Sequence, residues 1–248
     1  MDNETSRGLA RPEDDLADTG VSSADDTYSG RLDIVSDAIC PWCYIGKRQL
    51  ERALPALARD GLRFSVHWNP FQLNPDMPCE GVDRRDYRRA KFGSLERSEQ
   101  LDRQVTEAAA AVGLSFRLDL LRRTPNTVDA HRVIWLSGQE GVQDAVMETV
   151  FRAYFTEGAD LGEPGVLADC AAAAGLDRQA VLGFLRGDAL EAEVRSADRE
   201  ARDAGVNGVP SFFLDGYGLF SGALPADKMV AALTRAEDIL ARHRGSQA

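Results

Sequence analysis

Polar and apolar residues recur at regular spacing in the first third of the chain. Leu32–Ser36 alternates and is rich in branched apolar side chains, which predicts a β-strand. Four apolar residues of the next segment share one helical face: Leu50, Ala53, Leu54 and Leu57. Phe64–Trp68 is a second alternating stretch. The order strand, helix and strand predicts a right-handed βαβ crossover.

The pattern changes to helical periodicity over residues 83–190, where no convincing strand is found. Apolar residues at helical spacing mark three helices in this stretch, around residues 101–112, 142–153 and 166–174. A long segment with only helical periodicity, placed after a βαβ unit, predicts an all-helical insertion.

Strand character returns near the end of the chain. Ser211–Leu214 is apolar, and the turn signal Asp215-Gly216 separates it from a second short run at 217–220, which predicts a β-hairpin. A last helix is expected to start near Pro225. The predicted fold is therefore α/β and thioredoxin-like, with the helical insertion between its βαβ and ββα halves.

This order of elements predicts the domain organisation. A disordered acidic tail is expected at 1–29, because these residues are polar and almost free of large apolar side chains. A thioredoxin-like domain is expected at 30–82 and 191–245. The segment 83–190 is expected to form the helical insertion domain and to cap the active-site edge of the sheet.

Composition narrows the possible partners and the compartment. A net charge of −11 and a pI near 4.8 argue against nucleic acid and anionic membranes as partners. The start of the chain has neither the basic residues nor the apolar run of a secretory signal. No apolar run approaches the roughly 18 residues of a transmembrane helix. We therefore expect a cytoplasmic protein.

One basic cluster stands out against this acidity. Five basic residues lie between Arg84 and Lys91, interleaved with Asp83 and Asp86. Such a run is most often the solvated face of a helix, which is the interpretation we favour. The alternative is a patch that binds an anionic substrate.

The candidate chemistry lies in Cys40-Pro41-Trp42-Cys43, a C-x-x-C motif between the first strand and the first helix. The unpaired amides at a helix N-terminus favour negative charge, so this position favours the thiolate of Cys40 and gives it the role of nucleophile. Cys43 lies one turn further in and is placed to resolve a mixed disulfide by attacking Cys40. The sequence therefore predicts a redox-active pair.

A zinc half-site is the competing interpretation of a C-x-x-C pair, and it requires two further ligands. Cys79 and Cys170 stand alone, and the three histidines are scattered along the chain. We therefore predict no metal. Cys170 is expected to be a small buried apolar side chain, whereas Cys79 is a candidate exposed accessory thiol.

A second motif is Gly205-Val206-Asn207-Gly208-Val209-Pro210, directly before the strand at Ser211. In thioredoxin-like folds this position holds a cis proline beside the dithiol. The residue before that proline offers backbone hydrogen bonds to the substrate chain. Val209 and Pro210 are therefore predicted to form the substrate-binding wall opposite the cysteines.

These motifs carry a family resemblance. With SDAICPWCYIGK, WNPFQLNPDMP, NTVDAHRVIW and GVNGVPSFFLDG in this order, the chain resembles the FrnE-like branch of the DsbA family. The resemblance implies disulfide oxidoreductase or isomerase activity on thiols and disulfides of proteins or small molecules, without a bound metal or organic cofactor. Glutathione is a possible redox partner. By position it implies Cys40 and Cys43 as the redox pair, with Pro41 and Trp42 tuning it and contacting substrate.

Two alternatives stay open. The sister branch of 2-hydroxychromene-2-carboxylate isomerases and kappa-class glutathione transferases binds glutathione, but typically carries serine where Cys40 stands. A redox-independent chaperone-like binding module is the other alternative. Asn126 and His131 could reach the cleft from the insertion, although such residues more often cap or brace a helix.

Overall fold

The structure, a computed structural model, describes residues 28–245. Its first elements are β1 (Gly30–Ser36), α1 (Pro41–Arg59) and β2 (Phe64–Pro70). The next are β3 (Val82–Asp83), α2 (Arg84–Phe92), α3 (Leu95–Ala111), β4 (Arg123–Thr124), α4 (Val128–Gln139), α5 (Gln143–Phe155), α6 (Pro164–Ala173) and α7 (Arg178–Leu185). The last are α8 (Glu191–Asp203), β5 (Ser211–Leu214), β6 (Tyr217–Ser221) and α9 (Ala226–Gly245).

The predicted βαβ unit and hairpin share one four-stranded sheet. Its strand order is β2-β1-β5-β6. β1 pairs in parallel with β2, with Ile34 opposite Trp68, and antiparallel with β5, where Ile34 faces Phe212. β6 extends the sheet as the second strand of the hairpin. The α/β architecture predicted from the sequence is confirmed.

Alternation along β1 explains how the sheet is covered on both faces. Leu32 and Ile34 point to the face where the main hydrophobic core lies and α1 packs against α9. Val35 points the other way and joins Phe213 of β5 and Ala201 of α8 in a second, smaller cluster. Strand residues with period two therefore bury both faces of the sheet.

The segment between residues 83 and 190 departs from the prediction in one respect. β3 and β4 pair antiparallel, with Val82 opposite Thr124 and Asp83 opposite Arg123. The prediction that this stretch has no strand was wrong, because strands of two residues are too short to show alternation. The spacing of apolar residues in the sequence also failed to predict α7.

The helices of this segment share a core with α1. The ring of Tyr44 on α1 stacks with Phe151 and Phe155 of α5, at centroid distances of 5.0 and 6.1 Å, and with Phe116 at 5.9 Å. Buried residues of both parts belong to one continuous hydrophobic cluster. The division into two domains stays a prediction.

The predicted tail lies almost entirely outside the described residues, which begin at Tyr28. Ser29, at its end, is hydrogen-bonded to Arg63: its amide donates to the Arg63 carbonyl oxygen, and its Oγ accepts from the Arg63 amide. Among the helices of residues 28–245, none combines the length and apolar character needed to cross a membrane.

Candidate active site

The C-x-x-C motif lies where β1 gives way to α1. Cys40 is the N-cap residue, with extended backbone angles, and Pro41 is the first residue of the helix. A proline fits there because its fixed φ suits the first turn and its missing amide has no helical partner to lose. The Cys43 amide donates to the Cys40 carbonyl oxygen at 3.0 Å. This turn places Cys40 at the helix N-terminus, as expected.

Both cysteines are buried, and they differ in what they face. Cys40 is 4% exposed and Cys43 is fully buried. Cys40 lines a cavity, whereas Cys43 does not. Burial raises the pKa of the Cys43 thiol well above its usual value, and the neighbouring Cys40 thiol raises it further. Cys43 is therefore protonated at neutral pH.

The segment at Val209 and Pro210 lies against the start of α1. The peptide bond between them is cis. The Cys40 thiol donates to the Val209 carbonyl oxygen, with 3.5 Å between sulfur and oxygen. A Cβ on Gly46 of α1 would lie only 3.1 Å from Cγ of Pro210, so the missing side chain lets the helix approach the proline. Val209 and Cys40 thus meet at the cavity, with Pro210 buried behind them.

Asp37 fixes the turn before Cys40, although its role is not evident from the sequence pattern. Its side chain is fully buried and accepts hydrogen bonds from the Leu73 amide at 2.7 Å and the Ile39 amide at 3.4 Å. Nε2 of His131 lies 3.5 Å from the same carboxylate and 3.1 Å from the Phe71 carbonyl oxygen. Asp37 therefore holds together the two loops that flank Cys40.

Asn126 and His131 brace loops and do not line the cavity. The Asn126 side chain donates to the Met77 carbonyl oxygen at 2.7 Å and accepts from the Val128 amide at 2.9 Å. His131 contacts Asp37 and the Phe71 carbonyl as described above. The bracing interpretation of both residues fits these contacts.

The cavity beside Cys40 has a volume of about 370 Å³. One side, here called the core wall, consists of Ile39, Cys40, Pro41, Trp42, Leu73, Gly208 and Val209. The other side, the insertion wall, includes Arg84, Arg88, Lys91, Asp102, Thr124 and Tyr154. Trp42 is 43% exposed. The segment predicted to cap the dithiol thus contributes eleven of the eighteen residues that line the cavity in which Cys40 lies.

The basic cluster on α2 has two faces. Arg84, Arg88 and Lys91 lie at i, i+4 and i+7 and line the cavity, and the side chains of Arg84 and Arg88 are only 14% and 15% exposed. Arg89 is 60% exposed and pairs with Asp86 in solvent. The prediction of a solvated face is therefore wrong for Arg84 and Arg88. It is right for Arg85, Arg89 and Lys91, which are exposed, although Lys91 also lines the cavity. The spacing i, i+4 and i+7 is the sequence signal that separates the cavity-lining basic residues from the others.

The other two cysteines lie apart from this site. Cys79 is exposed and does not line the cavity. Cys170 is buried, and its thiol donates to the Thr149 carbonyl oxygen at a sulfur–oxygen distance of 3.6 Å. Burial raises the pKa of Cys170 to about 11. Between residues 28 and 245, no three His, Cys, Asp or Glu side chains form a group that could hold a metal ion.

Comparison with known proteins identifies the family. Residues 31–234 match the model of the DSBA-like thioredoxin domain. The chain belongs to this family. The fold of this DSBA-like chain is also that of a probable DsbA oxidoreductase from Streptomyces coelicolor, which is 35% identical over 84% of this chain and 89% of that chain, with a TM-score of 0.74.

Two more distant structures share the fold of the DSBA-like domain. A putative protein disulfide isomerase from Nitrosomonas europaea is 15% identical, with a TM-score of 0.65, over 83% of this chain and 96% of its own. The cytosolic disulfide reductase DsbM from Pseudomonas aeruginosa is 20% identical, with a TM-score of 0.54, over 88% of this chain and 100% of its own. The resemblance to the FrnE-like branch stays a prediction.

Proposed function

We propose that the protein is a thiol–disulfide oxidoreductase that exchanges disulfides through Cys40 and Cys43. One observation carries the proposal: of the two cysteines, only Cys40 lines the cavity, and it does so at a helix N-terminus with its thiol against the Val209 carbonyl. The attacking sulfur needs access to a substrate disulfide, and the resolving sulfur needs access only to Cys40.

Disulfide exchange proceeds through two successive displacements at sulfur. The Cys40 thiolate, having released its proton to solvent, attacks one sulfur of a substrate disulfide. A mixed disulfide forms, and the first substrate thiolate leaves. Cys43 then attacks Cys40, which forms the Cys40–Cys43 disulfide and releases the second substrate thiolate, and the Cys43 proton passes to a leaving thiolate. The protein loses two electrons and the substrate gains them; oxidation of a substrate dithiol is the reverse sequence.

The buried state of Cys43 fits the resolving role. Burial is the main cause of its raised pKa, which keeps Cys43 a thiol at neutral pH, and a smaller part of the shift comes from the Cys40 thiol. Formation of the mixed disulfide removes the charge and the hydrogen bond of Cys40, and Cys43 then ionises more easily. This coupling is consistent with the order of the two displacements, which follows from the access of Cys40 to the cavity.

Trapping the mixed disulfide tests the proposal. Reduced protein is mixed with a small disulfide, and the products are identified by mass spectrometry of the intact chain and its peptides. The wild type is expected to end as the Cys40–Cys43 disulfide, and Cys43→Ser to stop with one substrate half attached to Cys40. Cys40→Ser is expected to lose the reaction, whereas Cys79→Ser, which changes an exposed thiol outside the cavity, reacts as the wild type does.

The same variants separate the alternatives. Exchange that persists in Cys40→Ser refutes the proposal. A chaperone-like module would keep its binding of unfolded clients in Cys40→Ser, and a glutathione-dependent isomerase would turn over its substrate without forming the Cys40–Cys43 disulfide. The FrnE-like subtype, the cytoplasmic location and glutathione as redox partner belong to this proposal as predictions.

A further inference from the structure

The insertion wall is cationic in a protein that is strongly acidic. The chain has a net charge of −11, yet three of the cavity-lining residues that the structure describes are basic: Arg84, Arg88 and Lys91. Asp102 is the one carboxylate among these described lining residues. Three cations against one carboxylate leave a surplus of two positive charges beside Cys40. The field inside the cavity therefore favours an anion.

Asp102 neutralises only part of the positive charge of the insertion wall. It accepts hydrogen bonds from both Arg84, at 3.2 Å, and Arg88. Burial lowers the pKa of Arg88 in spite of Asp102, so its desolvation is not fully offset by this partner. The Lys91 ammonium donates to two neutral oxygens, the Tyr87 hydroxyl and Oδ1 of Asn74, and has no carboxylate partner within residues 28–245. The wall can take up a further negative charge.

A second observation at the same wall is independent of charge. Thr124 is 2% exposed, and its hydroxyl has no hydrogen-bond partner among the described residues. Thr124 lines the cavity together with Arg84 and Arg88. A buried polar group in a native structure normally has a partner, so this hydroxyl is one that a bound ligand would satisfy. A carboxylate oxygen in the cavity would be a suitable acceptor.

The dimensions of the cavity limit what can reach Cys40. Its volume of about 370 Å³ falls within the roughly 300–1,000 Å³ of small-molecule pockets. Cys40 is only 4% exposed, so a substrate disulfide must enter the cavity before Cys40 can attack one of its sulfurs. A small flexible disulfide fits this requirement better than a disulfide held within a folded protein.

We propose that the cavity selects low-molecular-weight disulfides and thiols that carry a carboxylate, with the reacting sulfur at Cys40 and the carboxylate at Arg84, Arg88, Lys91 and Thr124. This inference rests on the exchange chemistry proposed above and names its substrate class. The bond changes are those of the two displacements already described. The insertion wall takes no part in them, because its role is to hold the charged end of the substrate.

Three disulfides of similar length test the inference: dithiodiglycolate, which is anionic, bis(2-hydroxyethyl) disulfide, which is neutral, and cystamine, which is cationic. Single-turnover oxidation of the reduced protein gives a rate constant for each, and each is divided by the rate of the same disulfide with free dithiothreitol to remove intrinsic reactivity. The normalised rate for dithiodiglycolate is expected to exceed that for the neutral disulfide about tenfold, since hydrogen bonds to a charged group are stronger than those between neutral groups. Cystamine should be slowest.

Two variants locate the selectivity without leaving a carboxylate unpaired. Lys91→Gln and Thr124→Val are each expected to lower the ratio of anionic to neutral rates by about threefold or more, because each removes one contact to the carboxylate. The rate with the neutral disulfide should stay within about twofold, and it also reports that the variant is folded. Arg89→Gln is the matched control, because Arg89 lies on the exposed face of the same helix, where ion pairs contribute little.

The outcomes separate this inference from the function on which it rests. If all three disulfides react at equal normalised rates, the insertion wall has no selective role and the exchange function stands. A preference for dithiodiglycolate that survives unchanged in both variants overturns the assignment to the insertion wall. If no disulfide oxidises Cys40, the proposed function fails and the inference fails with it.

Discussion

The two walls of the cavity are built in different ways. The core wall presents Cys40, the Val209 carbonyl and the indole of Trp42, and it carries no charged side chain. The insertion wall presents guanidinium, ammonium, carboxylate and hydroxyl groups on α2, α3 and β4. The groups that react are held by a helix terminus and a loop next to the sheet. The groups that can distinguish one substrate from another lie on the inserted helices.

The walls also differ in how they are held in place. Pro210 rests on Gly46, and the Asp37 carboxylate joins Ile39 and Leu73, which both line the cavity, so buried contacts fix the core wall. The insertion wall is held by hydrogen bonds of Arg88 to Asp102 and Ser98. The comparison predicts that changes at the core wall affect every substrate equally, whereas changes at the insertion wall depend on substrate charge.

The largest effect is expected from the core that both walls share. Phe151 is fully buried and stacks on Tyr44, and it meets Trp68 edge-on at 6.3 Å. Phe151→Ala should lower the free energy of unfolding by about 3–5 kcal/mol, because it leaves a cavity where α1 meets the insertion. Denaturant unfolding should remain a single transition. Ile239→Ala, at a 44% exposed position, should change stability by less than about 0.5 kcal/mol.

Two separate transitions in Phe151→Ala, seen by circular dichroism and tryptophan fluorescence, would contradict the shared core. They would mean that the insertion unfolds by itself. The comparison would then be one between two independently stable units.

A smaller effect is expected at the core wall itself. In Gly46→Ala the new methyl group lies 3.1 Å from Cγ of Pro210, so the proline must give way. Overpacking of this kind costs about 1–3 kcal/mol, and the higher helix propensity of alanine offsets about 1 kcal/mol of it. Exchange with dithiodiglycolate and with bis(2-hydroxyethyl) disulfide should slow by the same factor. Gly183→Ala is the control, because a Cβ there meets no atom within 4 Å. If Gly46→Ala slowed exchange with one disulfide more than with the other, the proposed difference between the two walls would be wrong.

The smallest effect concerns the ionic contact between α1 and α5. Burial by itself would raise the pKa of Glu148, but hydrogen bonds from Arg48 and Tyr44 outweigh it, and the pKa lies below its usual value. A lowered pKa in the folded state stabilises the protein above the unfolded pKa of about 4.3, and this contribution is lost as pH falls through the folded value. Glu148→Gln should therefore cost about 1–2 kcal/mol at pH 7 and clearly less at about pH 3.

Urea unfolding of wild type and Glu148→Gln at both pH values measures this difference. Glu157→Gln is the control, because Glu157 is 56% exposed and forms a surface ion pair with Arg152. A cost for Glu148→Gln that is the same at both pH values would show that its charge does not stabilise the contact.

The sequence predicts the core wall better than the insertion wall, for a physical reason. Cys40 and Cys43 lie within one helical turn, and the strand, proline and helix around them are short-range signals. Thr124, in contrast, belongs to a two-residue strand whose pairing with Val82 is a tertiary contact. No periodicity in a single chain reports that contact. The orphaned hydroxyl of Thr124 can be found only in the folded structure.

The basic face of α2 is an intermediate case. Arg84, Arg88 and Lys91 have helical spacing, so the sequence shows that they share a face. It does not show whether that face meets solvent or a cavity, because this depends on where α3 packs. Asp37 is similar: it lies three residues before Cys40, but its partner Leu73 comes from the loop after β2.

The most direct test of the redox assignment is the equilibrium of the reduced protein with glutathione buffers of increasing oxidised fraction, read by peptide mass mapping. We expect one two-electron transition that converts Cys40 and Cys43 into an intramolecular disulfide, with the same midpoint in Cys79→Ser. If no buffer ratio yields the Cys40–Cys43 disulfide while other thiols of the chain are oxidised, the assignment of the redox pair is wrong.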